Sequence, residues 1–174
     1  MPAPNIRYSV QPAEQTSFAA GNFDAVCVAQ ALHWFDVGRF HAEVKRVLRP
    51  GGLLLVVGYG WSTVAPEIDA IMERAVIEPI RPHWPKETKL LQDGYRDVPF
   101  PFEPVEFPEL AIEAHWTLAQ MLGYMATWTA TRRLLEERPG FLDEARAALA
   151  PPWGEEPRLV RSPLHIKCGR HDGR

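Results

Sequence analysis

Several features that would define a function are scarce or absent in this 174-residue sequence. It has two cysteines, Cys27 and Cys168, which are too few and too far apart for a disulfide framework and fit a reducing compartment. The net charge is −3, so the composition gives no general attraction to nucleic acid or to an anionic membrane. No apolar run is long enough to span a membrane, and no signal-peptide pattern is present. We therefore expect a cytoplasmic protein that acts on neither nucleic acid nor membranes.

Residues for metal binding and covalent catalysis are also few. His165, Cys168 and His171 have a spacing that zinc could use, but His165 and Cys168 would point to opposite faces of a strand. A fourth ligand is not evident, so no metal site is predicted. No Ser-His-Asp or Cys-His arrangement and no nucleophile elbow is found, which disfavours a hydrolase on an α/β scaffold.

The strongest pattern that is present is a strand, a helix and a second strand. Ala25–Ala29 is a short apolar run, typical of a strand covered on both faces, in which Cys27 would be a small apolar side chain. Asp36 is the expected N-cap of the helix. Its apolar face recurs at helical spacing in Phe40, Val44, Val47 and Leu48. Pro50-Gly51-Gly52 is expected to end the helix before the second strand, Leu53–Val57. Two such strands form a parallel, right-handed unit.

Three motifs in this region, taken in their order and spacing, resemble those of a known family. They are Phe23-Asp24-Ala25-Val26, Gln30-Ala31-Leu32-His33-Trp34-Phe35, and Arg46-Val47-Leu48-Arg49-Pro50-Gly51-Gly52. Together they resemble the second half of a class I S-adenosylmethionine-dependent methyltransferase, in the small-molecule branch that includes trans-aconitate methyltransferase. The segment Gly123-Tyr124-Met125-Ala126-Thr127-Trp128-Thr129-Ala130 resembles the family signature Gly-Tyr-x-x-Thr-Trp-Ser-Ala, with Thr129 in place of serine.

The glycine-rich cofactor loop of that family is missing. It has the form Gly-x-Gly-x-Gly after the first strand, and the second strand ends in an acidic residue that bonds the ribose. The resemblance therefore implies the C-terminal two-thirds of such an enzyme, a single truncated domain over residues 1–174. The implied fold is α/β, an incomplete Rossmann-like class I methyltransferase fold. Its mostly parallel, twisted sheet would have helices on both faces and antiparallel C-terminal strands.

The rest of the chain is divided by its 17 prolines. The further predicted strands are Ile6–Val10, Glu103–Phe107, Glu109–Ala114 and Leu164–Cys168. Helices are predicted after Pro66, after a Thr117 cap, and from Phe141 to the pair Pro151-Pro152. The Pro-rich passages Pro79–Lys89 and Tyr95–Phe102 are predicted to be irregular.

The resemblance implies a site for S-adenosylmethionine at the carboxyl ends of the strands. The implied cofactor-binding residues are Ala13, Glu14, Gln15, Gln30, Ala31 and His33. The first three match the family's adenine wall, where a carboxylate or a backbone group can bond the adenine amino group. The alternative is a surface loop in which Glu14 is solvated. The other three follow a strand that ends at Ala29, where ligands lie in open α/β sheets.

The implied substrate residues lie in two segments of the chain. They are His33, Trp34, Tyr124, Thr127, Trp128 and Arg132, and residues 79–135 would contain the roof of the pocket. As alternatives, His33 is a rim histidine bonded to a backbone carbonyl, Trp34 is a packing wall, and Tyr124 and Trp128, four apart on one helix, are core residues. Methyl transfer needs no protein nucleophile, because the sulfonium methyl is already activated, so no catalytic residue is predicted.

Two functions remain open from the sequence. The first is S-adenosylmethionine-dependent methyl transfer to a small-molecule acceptor, for which a carboxylate is one option. The alternative is a catalytically inactive, methyltransferase-like remnant or binding module. In the family, the strand that corresponds to Phe23–Ala29 pairs with the first strand, which is missing here. Its bare edge would then be covered by Ile6–Val10 or by a second copy of the chain in a homodimer.

Overall fold

The computed structural model describes residues 3–173, which divide into two units. The first contains the described residues up to Gly58, then Tyr95–Pro108, and those from His165 onward. The second contains Tyr59–Gly94 and Glu109–Leu164. The single domain predicted over residues 1–174 stays a prediction.

Both helices and strands are present, as the predicted α/β class requires. The strands are β1 (Phe23–Ala29), β2 (Leu48–Tyr59), β3 (Glu103–Pro104), β4 (Ala111–Trp116) and β5 (Arg158–Arg170). The α-helices are α1 (Val37–Val47), α2 (Pro66–Met72), α3 (Glu78–Ile80), α4 (Thr88–Gln92), α5 (Leu118–Met125), α6 (Thr129–Glu137) and α7 (Phe141–Trp153). Leu32–Trp34 and Arg81–His83 are 3₁₀ turns, and Glu73–Ile77 is a π-helical turn.

The strand order of the main sheet is β1-β2-β5-β3. β1 is parallel to β2, with Ala25 opposite Leu53 and Ala29 opposite Val57, which confirms the predicted parallel unit. β3 is antiparallel to β5 in the first unit, and β4 is antiparallel to β5 in the second. The fold class is confirmed, but antiparallel pairing is more extensive than predicted, because β5 is 13 residues long and supplies the partner of both β3 and β4.

The β1–α1–β2 unit forms for local reasons. The Asp36 carboxylate accepts a hydrogen bond from the Arg39 backbone N–H at 3.1 Å, so the predicted N-cap is confirmed. The four residues of the predicted apolar helix face are all buried. The helix ends at Val47, three residues before Pro50, and Pro50-Gly51-Gly52 lies within β2. A Cβ on Gly52 would be 3.1 Å from the Asp24 carbonyl oxygen, so the close approach of β1 favours glycine there.

The exposure of β1 corrects two predictions. It is an edge strand in which Val28 is the one buried residue, and Cys27 is exposed rather than a buried apolar side chain. Ile6–Val10 is not a strand, and within residues 3–173 the pairing partner of β1 is β2. Tyr8 is 80% exposed. The apolar composition of β1 correctly indicated a strand. Burial on both faces was predicted wrongly, because within residues 3–173 no element covers the exposed residues of β1.

The second unit is mainly helical. Its core contains side chains from α2 to α7 and from β5: Ile68, Met72, Val76, Ile77, Ile80, Met121, Leu122, Met125, Ala130, Leu134, Phe141, Ala145, Leu149, Trp153 and Val160. The prediction of an irregular Pro79–Lys89 was wrong in part, because the helix continues through Pro79 and α4 begins at Thr88. Pro79 lies two residues after the π-helical turn Glu73–Ile77, and its neighbours Glu78 and Ile80 both keep helical backbone angles.

Three further helix boundaries in this unit bear on the predictions. Thr117 forms a capping box with Gln120 and confirms the predicted start of α5. Tyr124 and Trp128, however, do not share a helix, because α5 ends at Met125 and Trp128 is the N-cap residue of α6. The last helix continues through both prolines to Trp153, slightly beyond the predicted end.

Two kinds of special feature are absent from the described residues. No helix between residues 3 and 173 has the length and apolar character needed to cross a membrane. Over the same residues, no group of three or more His, Cys, Asp or Glu side chains could hold a metal ion.

Candidate functional site

The segment that follows β1 has an uncommon backbone conformation. Gln30 has a φ of 54°, in the left-handed region, and its N–H donates to the Val57 carbonyl at 2.8 Å. Non-glycine residues with such angles are uncommon and concentrate at functional sites. Gln30 lies at the carboxyl end of the parallel strand pair, where open α/β sheets bind ligands. The location predicted for the cofactor rim therefore coincides with a constrained backbone.

A buried histidine–tyrosine pair fixes the next turn. His33 is 6% exposed, and its Nδ1 lies 3.0 Å from the Tyr95 hydroxyl oxygen. Tyr95 is also left-handed, with a φ of 56°, and burial raises its pKa to about 12. The hydroxyl is therefore neutral at physiological pH. Sequence reasoning missed Tyr95, because no local pattern joins residues 62 positions apart.

Trp34 and the 13–15 loop complete this rim. Trp34 is 57% exposed, and its ring centroid is 4.7 Å from that of His33. Glu14 is half-buried, and its Oε1 accepts the Asp36 backbone N–H at 3.0 Å. This contact ties the predicted adenine loop to the end of the rim segment. Gln15 is exposed.

An ion pair anchors the chain that follows this loop. The Thr16 N–H and hydroxyl both donate to Glu43 Oε1, at 2.8 and 2.5 Å. Arg46 pairs with the same carboxylate at 2.7 Å and also donates to the Phe18 carbonyl. The bond from Arg46 is the main cause that lowers the pKa of Glu43 to about 2. The carboxylate therefore stays ionised and holds residues 16–18 against α1.

An apolar groove of about 440 Å³ runs along β1 in the first unit. We call it the β1 groove, and it is lined by Ala13, Thr16, Phe18, Phe23, Ala25, Val26, Cys27, Val28, Ala29, Ala31, Phe35, Phe40, Glu43, Val44 and Val47. Of the predicted cofactor residues, Ala13 and Ala31 belong to it. Its polar contribution comes mainly from Thr16 and Glu43, which already bond each other.

The remaining predicted substrate residues lie in the second unit. The Tyr124 and Trp128 rings meet edge to face with centroids 5.4 Å apart, and burial raises the pKa of Tyr124 to about 12. Thr127 is exposed and its hydroxyl donates to the Tyr124 carbonyl at 2.7 Å. Arg132 is exposed. The structure thus brings the Tyr124 and Trp128 rings into contact, whereas the Thr127 hydroxyl is used in a hydrogen bond to the backbone of the turn.

A second, smaller cavity lies beside Trp128. It has a volume of about 140 Å³, and we call it the tryptophan cavity. It is lined by Trp61, Ser62, Thr63, Asp69, Met72, Glu73, Ile77 and Trp128. Trp84 packs against both indoles, with ring centroids 6.0 Å from Trp61 and 6.2 Å from Trp128. Sequence reasoning found only Trp128, because the other walls come from segments with no shared motif.

Comparisons with known proteins identify the family. The profile described as a methyltransferase domain matches residues 1–56. A solved structure of a candidate type II methyltransferase from Anaeromyxobacter dehalogenans is 39% identical, covers 98% of this chain and 74% of its own, and has a TM-score of 0.89. A candidate methyltransferase of Dictyostelium discoideum is 31% identical over 128 residues, 72% of this chain and 49% of that protein. An uncharacterized methyltransferase of Mycobacterium tuberculosis is 51% identical over 51 residues, 29% of this chain and 20% of that protein.

The chain belongs to the class I S-adenosylmethionine-dependent methyltransferase family. This assignment confirms the predicted resemblance at the level of the family. The chain spans about half the length of the Dictyostelium relative. The branch that includes trans-aconitate methyltransferase, and the truncation, stay predictions.

Proposed function

We propose that this chain binds S-adenosylmethionine and takes part in methyl transfer to a small-molecule acceptor. The observation that carries the proposal is the rim after β1. There Gln30 has a left-handed backbone and His33 is fixed by Tyr95, at the carboxyl end of the parallel strands of a methyltransferase-family fold. Left-handed backbones such as those of Gln30 and Tyr95 cost free energy, and such strain concentrates at functional sites. The buried His33–Tyr95 pair holds this strained segment in place.

The side chains of the rim fit part of such a cofactor. Ala13, Glu14 and Gln15 would face the adenine, and the Asp36 N–H already orients the Glu14 carboxylate. Gln30, Ala31 and His33 would meet the cofactor at the strand end. S-adenosylmethionine, when bound, supplies a methyl group activated by the sulfonium. The protein residues then hold and orient the two reactants and exclude water, which is the main contribution a protein makes to such a transfer.

Calorimetric titration of the chain with S-adenosylmethionine and S-adenosylhomocysteine tests the proposal. We expect micromolar affinity, roughly −8 kcal/mol. Tyr95→Phe should weaken this affinity about fivefold, because it removes the hydrogen bond between the Tyr95 hydroxyl and His33. Tyr8→Phe, the same change at an 80% exposed site, is the control and should bind normally. Absence of heat at millimolar ligand would contradict the proposal.

A second candidate function is a binding module that dimerises through β1. It is favoured by the open edge of this strand and by the β1 groove beside it. The occupant that suits the edge is a second copy. A two-fold antiparallel pairing centred on Val26 places Asp24, the one charged residue of the strand, opposite Val28. The two Asp24 side chains then stay roughly 13 Å apart, so no like charges face each other.

Sedimentation equilibrium over the micromolar range distinguishes this candidate. A reversible dimer is expected for the unchanged chain. Cys27→Lys should convert it to a monomer, because in this register the two lysines would be diagonal neighbours on one face, roughly 7–8 Å apart, at an edge that must pair. Ala42→Lys, also exposed but on α1, should leave the dimer intact. If the unchanged chain is monomeric throughout, dimerisation through β1 is excluded.

A further inference from the structure

The tryptophan cavity has walls that suit a positive charge. Two of its walls are the indoles of Trp61 and Trp128, whose ring centroids are 5.7 Å apart at an interplanar angle of 59°. Trp84 packs against both rings and supports their positions. Among the aromatic side chains, tryptophan attracts a cation most strongly over its ring face. An angled indole pair beside a cavity is therefore a suitable wall for an organic cation.

The charged side chains of the cavity have the complementary sign. Asp69 and Glu73 both line it. Asp69 Oδ1 accepts the Val64 N–H at 2.8 Å, which fixes the carboxylate. Glu73 pairs with Arg81, which does not line the cavity. Two carboxylates and one guanidinium leave a local charge of −1, so the cavity favours a cation over an anion.

Two features of the backbone place this cavity where a ligand is expected. Trp61, Ser62 and Thr63 follow the carboxyl end of β2, the end at which α/β sheets bind ligands. Glu73 and Ile77, which also line the cavity, are the first and last residues of the π-helical turn. Such turns are rare and occur frequently at functional sites. These observations are independent of the charge and of the aromatic rings.

We propose that the tryptophan cavity binds the ammonium group of a small organic amine. The volume of about 140 Å³ is close to that of a cavity that takes up benzene, about 150 Å³. This space suits a quaternary ammonium or a compact aminoalkyl group. A carboxylate in the same cavity would be repelled by Asp69 and Glu73, which carry the same sign of charge. Arg132, an exposed cation on α6, does not line the cavity and cannot offset this repulsion there.

The probe for this proposal is tetramethylammonium chloride. Tert-butanol, which has a similar shape and no charge, and sodium acetate are the matched comparisons. Binding is followed by the indole N–H resonances of the labelled full chain. We expect tetramethylammonium to shift the resonances of Trp61 and Trp128 and to bind at least about fivefold more tightly than tert-butanol. Trp34, which does not line the cavity, should not respond.

Charge-removing variants complete the test. Glu73→Gln and Asp69→Asn should each weaken tetramethylammonium binding about fivefold. Glu67→Gln, an exposed change on α2 outside the cavity, should have no effect. Equal affinity for the cation and the alcohol, or unchanged resonances at saturating probe, would overturn the proposal. The probe titration needs no S-adenosylmethionine. Its outcome therefore does not depend on whether the chain binds that cofactor.

Discussion

Replacing Trp153 with alanine is expected to lower the free energy of unfolding by about 3–5 kcal/mol. Trp153 is the last residue of α7, is 0% exposed, and belongs to the core of the second unit. Its removal would leave a cavity that a helical core closes only in part. The Trp153 Nε1 is buried and has no hydrogen-bond partner among residues 3–173, so losing this donor offsets a small part of the cost. The packing term therefore dominates.

Urea unfolding followed by circular dichroism measures this effect without depending on tryptophan fluorescence. Trp34→Ala is the matched control, because Trp34 is 57% exposed and its truncation should cost less than about 1 kcal/mol. If the two variants lose the same stability, Trp153 does not occupy the core as described here.

Gly169→Ala should be the most damaging glycine substitution in the first unit. A Cβ at this position would lie 2.6 Å from the Phe102 Cβ and 2.7 Å from the Phe100 ring. The first of these atoms is next to the backbone and cannot move aside alone. Gly169 also pairs with Pro104 between β5 and β3, so the strands would have to separate. We expect a loss of at least about 1–3 kcal/mol.

The control for this substitution is Gly123→Ala, which is expected to raise the stability of the protein rather than lower it. Nothing lies within 4 Å of a Cβ added at Gly123, which is an exposed residue of α5. Alanine should therefore stabilise the helix by up to about 1 kcal/mol. The two melting temperatures, measured by calorimetry, should move in opposite directions. A Gly169→Ala protein as stable as the unchanged chain would contradict the close packing of β5 against Phe102.

The β1–α1–β2 unit could be predicted from the sequence because its signals are local. The Asp36 cap acts on Arg39, three residues later, and the apolar face of α1 repeats within two turns. The same holds for the Thr117 capping box. Interactions of this range are encoded in consecutive residues.

Burial and pairing depend on distant residues and were harder to predict. Ile6–Val10 has the composition of a strand, but it pairs with none of the strands that the structure describes. The length of β5 is set by its pairing partners, which are β4 and strands of the main sheet that lie far earlier in the chain. Periodicity predicts which residues share an apolar face of an element, but it does not predict which other element will pack against that face.

The candidate site shows the same division. The end of β1 at Ala29 was predicted correctly, so Gln30–Trp34 follows a strand end, where open α/β sheets bind ligands. Tyr95 and Trp61 were missed, because each joins its site from a distant segment through a side-chain contact. Cofactor and substrate roles for the individual residues stay predictions.

The long strand β5 has a consequence for the order of folding during synthesis. It follows β2, β3 and β4 in the chain, and it pairs with all three. Until Arg158–Arg170 leaves the ribosome, the partner edges on these strands stay open, and β1–β2 is a two-stranded pair that is marginal alone. Closing such distant contacts is slow, and open apolar edges attract other chains meanwhile. Nascent chains of this protein should therefore depend on chaperones until Arg158–Arg170 has been synthesised.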